Sequence, residues 1–252
     1  MSTSNIGQND SIAENLICPI TLELPWDPVI AEDGRIYDQG AIENHFKQHP
    51  NDLKSPVTNM PMGRHLLPAF QIKSLIEALI EKGMITEDLT PEWNQKMKQN
   101  KKLEELKKKA NSGDGVAMRR LGNMYCSGSH GLQKDLKVAV TWYKKSHEQG
   151  NATGTAHLGD FICKGLGGEA TCHITGIMYI STAAGQKSKI AAFYLGMAMA
   201  DGLYGLTVKK EEAIYWLERA LGNFPGWSDG LSSKGIKQAQ SKLKGLKATL
   251  QL

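Results

Sequence analysis

The chain has 252 residues, of which 40% are hydrophobic and 22% are charged, and its formal net charge is +4. These values support a packed core in one large or two small domains, and the charge is too small to indicate nucleic-acid binding by itself. No apolar run approaches the roughly 20 residues that span a bilayer. The N-terminus shows neither a secretory signal nor a Gly at position 2 for myristoylation, so we expect no membrane partner.

The cysteine pattern favours a reducing compartment. The four cysteines form no CxxC pair and no framework of the kind found in short secreted proteins, and they are Cys18, Cys126, Cys163 and Cys172. We therefore expect reduced, mostly buried thiols in the cytosol. The alternative is an incidental disulfide between Cys163 and Cys172, if the protein is exported.

The beginning of the chain predicts a short tail and then a small α+β domain. Residues 1–14 are polar and rich in Ser, Asn and Asp, which predicts a disordered tail. Residues 15–83 follow as a compact unit. Within this unit Asp33-Gly34 stands between two short apolar runs. Because Gly accepts the positive φ of a tight turn, this pair predicts a β-hairpin.

Two helices are predicted after the hairpin. Asp38 is placed to cap the first helix, in which Ile42 and Phe46 share one face. The second helix is predicted over about 70–82, and Gly83 is placed to end it. The apolar stripe of this second helix consists of Ile72, Leu75, Ile76 and Leu79.

Five short motifs follow one another in this domain. They are Cys18-Pro19-Ile20-Thr21, Asp27-Pro28-Val29, Asp33-Gly34, Tyr37-Asp38 and Ser55-Pro56-Val57-Thr58. Their order and spacing resemble a U-box, the zinc-free relative of the RING domain. The resemblance implies a ubiquitin-protein transferase that docks a ubiquitin-charged conjugating enzyme. It implies no nucleophile on this chain, so we expect no catalytic residue and no cofactor.

The candidate metal ligands argue against a RING. A RING holds two zinc ions with about eight Cys and His ligands, since a structural zinc normally takes four. Residues 15–83 offer only four such side chains, and none are paired at ligand spacing: Cys18, His45, His49 and His65. We therefore expect no metal, with a single cryptic zinc as the alternative. In U-boxes hydrogen bonds and ion pairs replace the metal, and the candidates here are Glu23, Asp27, Asp33 and Arg35.

The U-box resemblance also implies which side chains meet the conjugating enzyme. Ile20 holds the apolar docking position, Pro56 supplies a second apolar contact, and Pro25 and Trp26 extend the surface. The alternative is that Ile20 and Pro56 are core or turn residues. In active members a cation often follows Pro-Val-Thr, whereas this chain has Asn59. We therefore expect activity that is weaker or more selective among conjugating enzymes.

A basic helical linker is predicted over residues 84–112. Thr90 is a good N-cap and Pro91 suits the first helical turn. Residues 91–110 hold seven lysines and three glutamates, a net +4 that equals the charge of the whole chain. We interpret this helix as a solvated spacer, with an acidic-lipid or nucleic-acid contact as the alternative. The side predicted to pack against a neighbour carries Trp93, Met97, Leu103 and Leu106.

Residues 113–222 repeat with a period of 37. The recurring positions are Leu121-Gly122, Leu158-Gly159 and Leu195-Gly196, then Gly128, Gly165 and Gly202. Small residues at fixed places let helices approach closely, and a period of this length indicates stacked helix-turn-helix units. One bulky aromatic per unit is predicted to fill the space between units, and these are Trp142, Tyr179 and Trp216.

The first repeat unit, from Ala117 to Ala152, resembles a Sel-one-like repeat, a relative of the tetratricopeptide repeat. The second unit matches less well and the third recovers the pattern. Residues 223–252 predict a loop and a capping helix, because the last unit of a solenoid otherwise exposes an apolar face. Such solenoids offer a groove for a client protein or peptide, and the alternative is a solvated face. Candidate groove residues are Arg119, Arg120, Asn123, His157, Asp160 and Tyr194.

The sequence thus predicts an α+β chain, in which a small zinc-free RING-like U-box domain precedes an all-α helical-repeat solenoid. We interpret it as a ubiquitin-protein ligase whose U-box recruits a charged conjugating enzyme and whose repeats recruit a client. One alternative is a non-catalytic adaptor, and another is a nucleic-acid-associated protein with steep salt dependence. We expect a cytoplasmic location, or a host cytosol if the chain is a secreted bacterial effector. A homodimer is left open.

Overall fold

The computed structural model describes residues 14–85, 87–222, 224–227 and 230–250. The chain divides into two compact units, Met1–Gln99 and Asn100–Leu252. The predicted disordered tail lies outside the described residues except for Glu14. Within the described ranges, none of the helices combines the length and the apolar character that crossing a membrane requires.

The predicted hairpin is confirmed in the N-terminal unit. Strands β1 (Pro28–Ala31) and β2 (Ile36–Asp38) pair antiparallel, and Gly34 in the turn between them has a φ of 76°. A third strand, β3 (Leu66–Pro68), pairs antiparallel with β1 and gives the order β2-β1-β3. The sequence analysis missed β3 because it is three residues long and ends in Pro, which is typical of an edge strand.

Helix α1 spans Gln39–Gln48 and confirms the predicted cap. The Asp38 carboxylate accepts a hydrogen bond from the backbone N–H of Ala41 at 3.4 Å, and Ile42 and Phe46 are buried. Capping by Asp satisfies one of the backbone donors that the first helical turn leaves unpaired. The first helix therefore starts where the sequence places it.

Helix α2 spans Phe70–Glu81. Its buried residues are Ile76 and Leu79, and Ile72 packs at the edge of the same cluster. The predicted stripe is wrong at Leu75, whose side chain is 43% exposed. Only part of the helix face is therefore covered by the rest of the N-terminal unit.

The N-terminal unit has two apolar clusters. One is formed by Cys18, Val29, Ala31, Tyr37, Ile42 and Phe46. The other is formed by Leu16, Leu24, Ile76, Leu79, Ile85 and Trp93. Trp93 lies in helix α3 (Pro91–Asn111), which begins at the predicted Pro. The first turns of the basic helix therefore belong to the core of the N-terminal unit.

The C-terminal unit contains paired helices. The pairs are α4 (Gly115–Ser127) with α5 (Leu136–Glu148), α6 (Ala152–Lys164) with α7 (His173–Gly185), and α8 (Lys189–Asp201) with α9 (Lys210–Leu221). The first helices α4, α6 and α8 contact one another in succession, and α10 (Ser233–Leu250) packs on α8 and α9. These contacts confirm an all-α helical-repeat solenoid, in which three helix pairs are followed by one further helix.

The repeated small residues bring the two helices of a unit together. A Cβ added at Gly159 would lie 2.7 Å from the carbonyl oxygen of Gly176, closer than real Cβ atoms approach such an atom. In each repeat, the large side chain that is fully buried stands one residue later than the predicted aromatic. Trp142, Tyr179 and Trp216 pack only at the edges of clusters. The fully buried side chains at the next position of each unit are Tyr143, Ile180 and Leu217.

Gly159→Ala is expected to destabilise the C-terminal unit by about 1–3 kcal/mol, because the two helices must move apart to admit one methyl group. Gly185→Ala is the matched control. It lies at the end of α7 with no other atom within 4 Å of an added Cβ. Urea unfolding of the full chain measures both free energies. Equal losses for the two variants would contradict the close approach of the helices.

Candidate functional site

Two loops of the N-terminal unit carry the residues predicted to dock a partner. In the first loop, the backbone N–H of Cys18 donates to the carbonyl of Glu23 at 2.8 Å. The backbone N–H of Leu22 donates to the carbonyl of Cys18, also at 2.8 Å. Cys18 is buried, whereas Ile20 is 36% exposed and Leu22 is 72% exposed. The loop thus holds two apolar side chains toward solvent, and Ile20 is not a core residue.

The second loop is closed in the same manner. The backbone N–H of Ser55 donates to the carbonyl of Met60 at 2.9 Å, and that of Asn59 donates to the carbonyl of Ser55 at 3.0 Å. Pro56 is half-buried and Val57 is 42% exposed. The Ser55 hydroxyl also accepts a hydrogen bond from the N–H of Val57 at 3.2 Å. This loop therefore presents a short apolar edge on a hydrogen-bonded frame.

One carboxylate fastens the second loop to the hairpin. Asp33 accepts hydrogen bonds from the Ser55 hydroxyl at 2.6 Å and from the Tyr37 hydroxyl at 2.7 Å. It also accepts one from the backbone N–H of Arg35 at 3.1 Å. Burial alone would raise the pKa of Asp33, but these hydrogen bonds outweigh it and hold the pKa below its ordinary value. Asp33 is therefore a charged acceptor that ties three segments together.

Both loops are anchored on the same apolar cluster. Cys18 at the start of the first loop and Tyr37 belong to that cluster. Leu53 and Met62, which flank the second loop, pack against it. A common support fixes the exposed side chains of both loops in one unit, which a docking surface requires.

Further hydrogen bonds join the loops and the hairpin of the N-terminal unit. The Glu32 carboxylate accepts from the backbone N–H groups of Gly63 at 2.7 Å and His65 at 3.2 Å. His45 donates from Nε2 to the carbonyl of Lys54 at 2.9 Å. The described part of the chain contains no group of three or more His, Cys, Asp or Glu that could hold a metal ion.

The residues predicted to form hydrogen bonds or ion pairs within the domain were right in part. Asp33 accepts the hydrogen bonds described above, and Asp27 pairs with Lys73 at 3.0 Å. Arg35 contributes its backbone N–H, and the carbonyl of Glu23 closes the first loop. Glu32 was missed, because its partners lie 31 and 33 residues further along the chain. No local sequence pattern reports a contact of that separation.

One predicted docking residue is buried and another is half-buried. Pro25 is less than 2% exposed, so its prediction as a docking contact is wrong. Trp26 is half-buried, with its ring 4.9 Å from that of Trp93 and 4.3 Å from Lys73 Nζ. Most of the Trp26 side chain is therefore engaged within the unit, by packing and by a cation–π contact. Asn59 is exposed and has a φ of 57°.

The C-terminal unit contains a second candidate site. A cavity of about 890 Å³ is lined by residues of α4, α5, α6, α8 and the start of α10. Five of the six predicted groove residues line it, and these are Arg119, Asn123, His157, Asp160 and Tyr194. Arg120 is exposed and lines a different cavity, so its assignment to this groove is wrong. Tyr143, Lys164 and Lys234 line the main cavity and were not predicted.

Aromatic and polar groups hold one another inside this cavity. The Tyr143 hydroxyl donates to the side-chain amide oxygen Oδ1 of Asn123 at 2.8 Å. The His157 ring stacks on Tyr143 with centroids 4.9 Å apart, and His157 Nδ1 lies 3.1 Å from the Tyr194 hydroxyl. Asp160 and Lys164 form an ion pair at 2.7 Å. The wall is thus preorganised and polar.

His157 is held neutral by its surroundings. Burial, together with the nearby cations Arg119 and Lys164, lowers the pKa of His157 to about 3. An unfolded His titrates near 6.5. Between these two values the unfolded chain binds more protons than the folded one, so acid favours unfolding.

The C-terminal unit is therefore expected to lose stability as the pH falls below 6.5, by at most about 1.4 kcal/mol per pH unit from this residue. His157→Gln should flatten that dependence between pH 6.5 and 5.5, above the range in which ordinary carboxylates titrate. Thermal melts of the full chain at several pH values measure it. His130→Gln, at an exposed loop position, is the control and should leave the slope unchanged.

Comparisons with known proteins agree with the two-part architecture. Residues 12–84 match the family model of the U-box domain, and residues 115–151 and 189–221 match that of the Sel1 repeat. The middle repeat, which departs most from the pattern, lies between the two Sel1 matches. The chain therefore carries a U-box domain followed by Sel1 repeats.

Among curated proteins the similarity covers the U-box region. The chain is 39% identical over 72 residues to "WD repeat, SAM and U-box domain-containing protein 1" of Gallus gallus, covering 28% of this chain and 15% of that protein. It is 34% identical over 86 residues to "U-box domain-containing protein 6" of Arabidopsis thaliana, covering 34% of this chain and 11% of that protein. The chain thus spans only a small part of the length of these relatives.

Among solved structures the similarity is to Sel1-type proteins. A Sel1 repeat protein from Oxalobacter formigenes is 28% identical with a TM-score of 0.39, covering 47% of this chain and 54% of that chain. The c5321 antigen of uropathogenic Escherichia coli is 22% identical with a TM-score of 0.41, covering 70% of this chain and 47% of that chain.

Proposed function

We propose that this chain is a ubiquitin-protein ligase. Its U-box recruits a ubiquitin-charged conjugating enzyme, and its Sel1 repeats recruit a client protein. The observation that supports this most is the exposed Ile20, held on a loop that two backbone hydrogen bonds close within a matched U-box region. An exposed apolar side chain on a rigid frame is the typical anchor of a protein interface.

The proposed mechanism is catalysis by proximity and orientation. The conjugating enzyme carries ubiquitin as a cysteine thioester, and a lysine of the client attacks the thioester carbonyl. The U-box holds the thioester in a reactive pose, and the repeats raise the local concentration of the lysine. In this proposal the chain itself supplies no nucleophile, as the U-box resemblance implies.

The proposed docking surface consists of Ile20 and Pro56, extended by the neighbouring exposed side chains of the two loops. Leu22, Val57 and Met60 are exposed by 72%, 42% and 65%, respectively. Burying each apolar anchor contributes about 1–3 kcal/mol to an interface. A few such anchors account for a weak, transient complex of the kind that a repeatedly exchanged enzyme needs.

A reconstituted ubiquitination reaction tests this proposal. The full chain is incubated with ubiquitin, activating enzyme and a panel of conjugating enzymes, and chain formation is followed over time. We expect chains with at least one conjugating enzyme. Absence of chains with every enzyme would favour a non-catalytic adaptor, in which the repeats bind partners and the U-box only docks. The neutral Asn59 is the observation that supports this second candidate.

Asn59→Arg tests whether a missing cation limits the activity. Asn59 has a φ of 57°, a left-handed conformation that Asn tolerates better than other side chains. Arg and Gln carry a similar backbone penalty there, so Asn59→Gln is the matched control. Because charge-assisted hydrogen bonds are about twice as strong as neutral ones, we expect transfer about fivefold faster with Arg than with Gln. Equal rates would show that no cation is missing.

A further inference from the structure

The four cysteines all lie in the described part of the chain, where they are free thiols of different exposure. Cys18 and Cys163 are buried, Cys126 is intermediate and Cys172 is exposed. Cys172 is the N-cap residue of helix α7. The partial positive charge at a helix N-terminus stabilises a thiolate, and the thiolate is the form that reacts. Cys172 is therefore the thiol that a reagent in solvent reaches first.

A hydroxyl next to Cys172 acts in the same direction. Cys172 Sγ lies 3.1 Å from Thr175 Oγ1, and both side chains are exposed. When the sulfur is ionised, the Thr175 hydroxyl donates this hydrogen bond, and it lowers the pKa of the Cys172 thiol below its ordinary value. The Cys172 sulfur is thus open to solvent and stabilised as a thiolate.

Cys163 is a thiol of the opposite kind. It stands one residue before the end of α6 and is 2% exposed. Its Sγ lies 3.9 Å from the carbonyl oxygen of His173, the residue that follows Cys172. Burial, followed by the negative charges of Asp160 and Cys172, raises the pKa of the Cys163 thiol to about 11. Cys163 is therefore protonated and shielded from reagents, but it lies beside the start of α7.

The backbone brings Cys163 and Cys172 together. The N–H of Cys172 donates to the carbonyl of Ile162 at 3.2 Å, and that carbonyl belongs to the peptide bond that enters Cys163. Standard bond lengths then place the Cα atoms of the two cysteines within about 7 Å of each other. Disulfides join Cα atoms that are roughly 4.4–6.8 Å apart. A bond between these two side chains therefore needs little movement of the backbone.

The side of α7 that faces Cys163 also carries Cys172. A Cβ added at Gly176 would collide with Cys163 Sγ, so this sulfur lies against Gly176. The Gly176 N–H donates to the Cys172 carbonyl at 2.9 Å, which places the two residues one turn apart on the same side of the helix. Rotation of the two cysteine side chains is the motion that brings their sulfur atoms into contact.

We propose that Cys172 and Cys163 form a redox-sensitive thiol pair, in which hydrogen peroxide oxidises Cys172 and Cys163 converts the product to a disulfide. The Cys172 thiolate attacks one peroxide oxygen, the O–O bond breaks, and the sulfur is oxidised to a sulfenic acid. The other oxygen takes up a proton and leaves as water. The Cys163 sulfur then displaces the sulfenic hydroxyl, which leaves with the Cys163 proton as a second water. Thiol reductants reverse the disulfide.

Peptide mapping of the full chain tests the proposal. The protein is treated with hydrogen peroxide, blocked with N-ethylmaleimide, unfolded and digested with trypsin. Trypsin cuts after Lys164, so a disulfide between Cys163 and Cys172 joins two separate peptides. We expect this linked pair as the main product, and we expect dithiothreitol to remove it. A sulfinic acid at Cys172 without the pair, a main link to Cys126, or a main link between two chains would overturn the proposal.

Cys163→Ser separates the two chemical steps. Without the second thiol, the sulfenic acid at Cys172 should persist, so dimedone labelling of Cys172 should rise about tenfold over the unaltered chain. Cys126→Ser is the matched control and should change neither the labelling nor the linked pair. Because a buried hydroxyl costs stability, Cys163→Ala is measured beside it and melting curves are recorded for both. Equal labelling in the unaltered chain and in both variants would contradict the role of Cys163.

The disulfide should also stabilise the middle repeat, because it joins the end of α6 to the start of α7 and restricts the unfolded chain. We expect peroxide to raise the melting temperature of the C-terminal unit by about 5 °C, and Cys172→Ser to abolish the rise. An equal rise in Cys172→Ser would contradict the disulfide as its cause. Ile20→Lys should leave the pair intact, so failure of ubiquitin transfer and failure of disulfide formation are separate results.

Discussion

Ile20→Lys is expected to reduce ubiquitin transfer at least about 100-fold while the chain stays folded. Ile20 is 36% exposed and belongs to neither apolar cluster of the N-terminal unit, so its replacement removes little folding energy. At an interface the same change removes an apolar anchor and forces a charge out of water. Single-turnover transfer from a charged conjugating enzyme measures the loss, and a thermal melt measures folding.

Leu75→Lys is the matched control for Ile20→Lys. Leu75 is an exposed apolar side chain of the same unit, at 43%, but it lies on helix α2 and outside the two loops. We expect its variant to transfer ubiquitin at the normal rate. If both variants lost activity equally, general damage to the unit would explain the result. If neither did, the docking role of Ile20 would be wrong.

Asp33→Ala is expected to destabilise the N-terminal unit by about 1.5–3 kcal/mol and to slow transfer as a consequence. The change removes the shared acceptor of the Ser55 and Tyr37 hydroxyls. Ser55 is 3% exposed, so its hydroxyl loses a charged partner inside the protein. Chemical unfolding of the full chain measures the difference in free energy.

The contribution of Asp33 to the free energy of unfolding depends on pH in a definite direction. The pKa of Asp33 is lowered in the folded chain, so the folded state favours the ionised carboxylate. The stabilisation is fully present above the ordinary Asp value near 3.9 and is lost as the pH falls through the folded pKa. The difference between Asp33→Ala and the unaltered chain should stay constant from pH 8 to 5 and shrink below about pH 4.

Asp52→Ala is the control for Asp33→Ala. Asp52 pairs with Lys54 at 2.7 Å next to the second loop, but its carboxylate side chain is 72% exposed. Exposed ion pairs contribute about 0–1 kcal/mol. We expect Asp52→Ala to cost less than 0.5 kcal/mol. A loss as large as that of Asp33→Ala would mean that the Asp33 network is not the anchor of the loop.

The sequence predicted those features of the fold that depend on local patterns. Asp33-Gly34 predicted the hairpin because only Gly takes a positive φ without strain. The 37-residue register predicted the paired helices, because some of its small residues mark a close approach, such as that of Gly159 to Gly176, and others end a helix with a positive φ, such as Gly165. Strand β3 was missed because three residues carry no periodicity.

The site was less predictable than the fold. The motif predicted surface positions for Ile20, Pro56 and Pro25, whereas in the structure Ile20 is exposed, Pro56 is half-buried and Pro25 is buried. The hydrogen bond from Ser55 to Asp33 joins residues that are 22 positions apart, and the sequence of neither segment alone predicts it. In the repeats, five groove residues were found by register, whereas Arg120 points away because neighbours on a helix face different directions.

Discharge of ubiquitin from a charged conjugating enzyme to free lysine tests the proposed role of the U-box most directly. It requires no client, so it isolates the effect of docking on the thioester. With at least one enzyme of a panel, the full chain is expected to accelerate discharge about tenfold or more, and Ile20→Lys should abolish the acceleration. Discharge at the uncatalysed rate with every enzyme that a known active U-box accelerates would contradict the proposal.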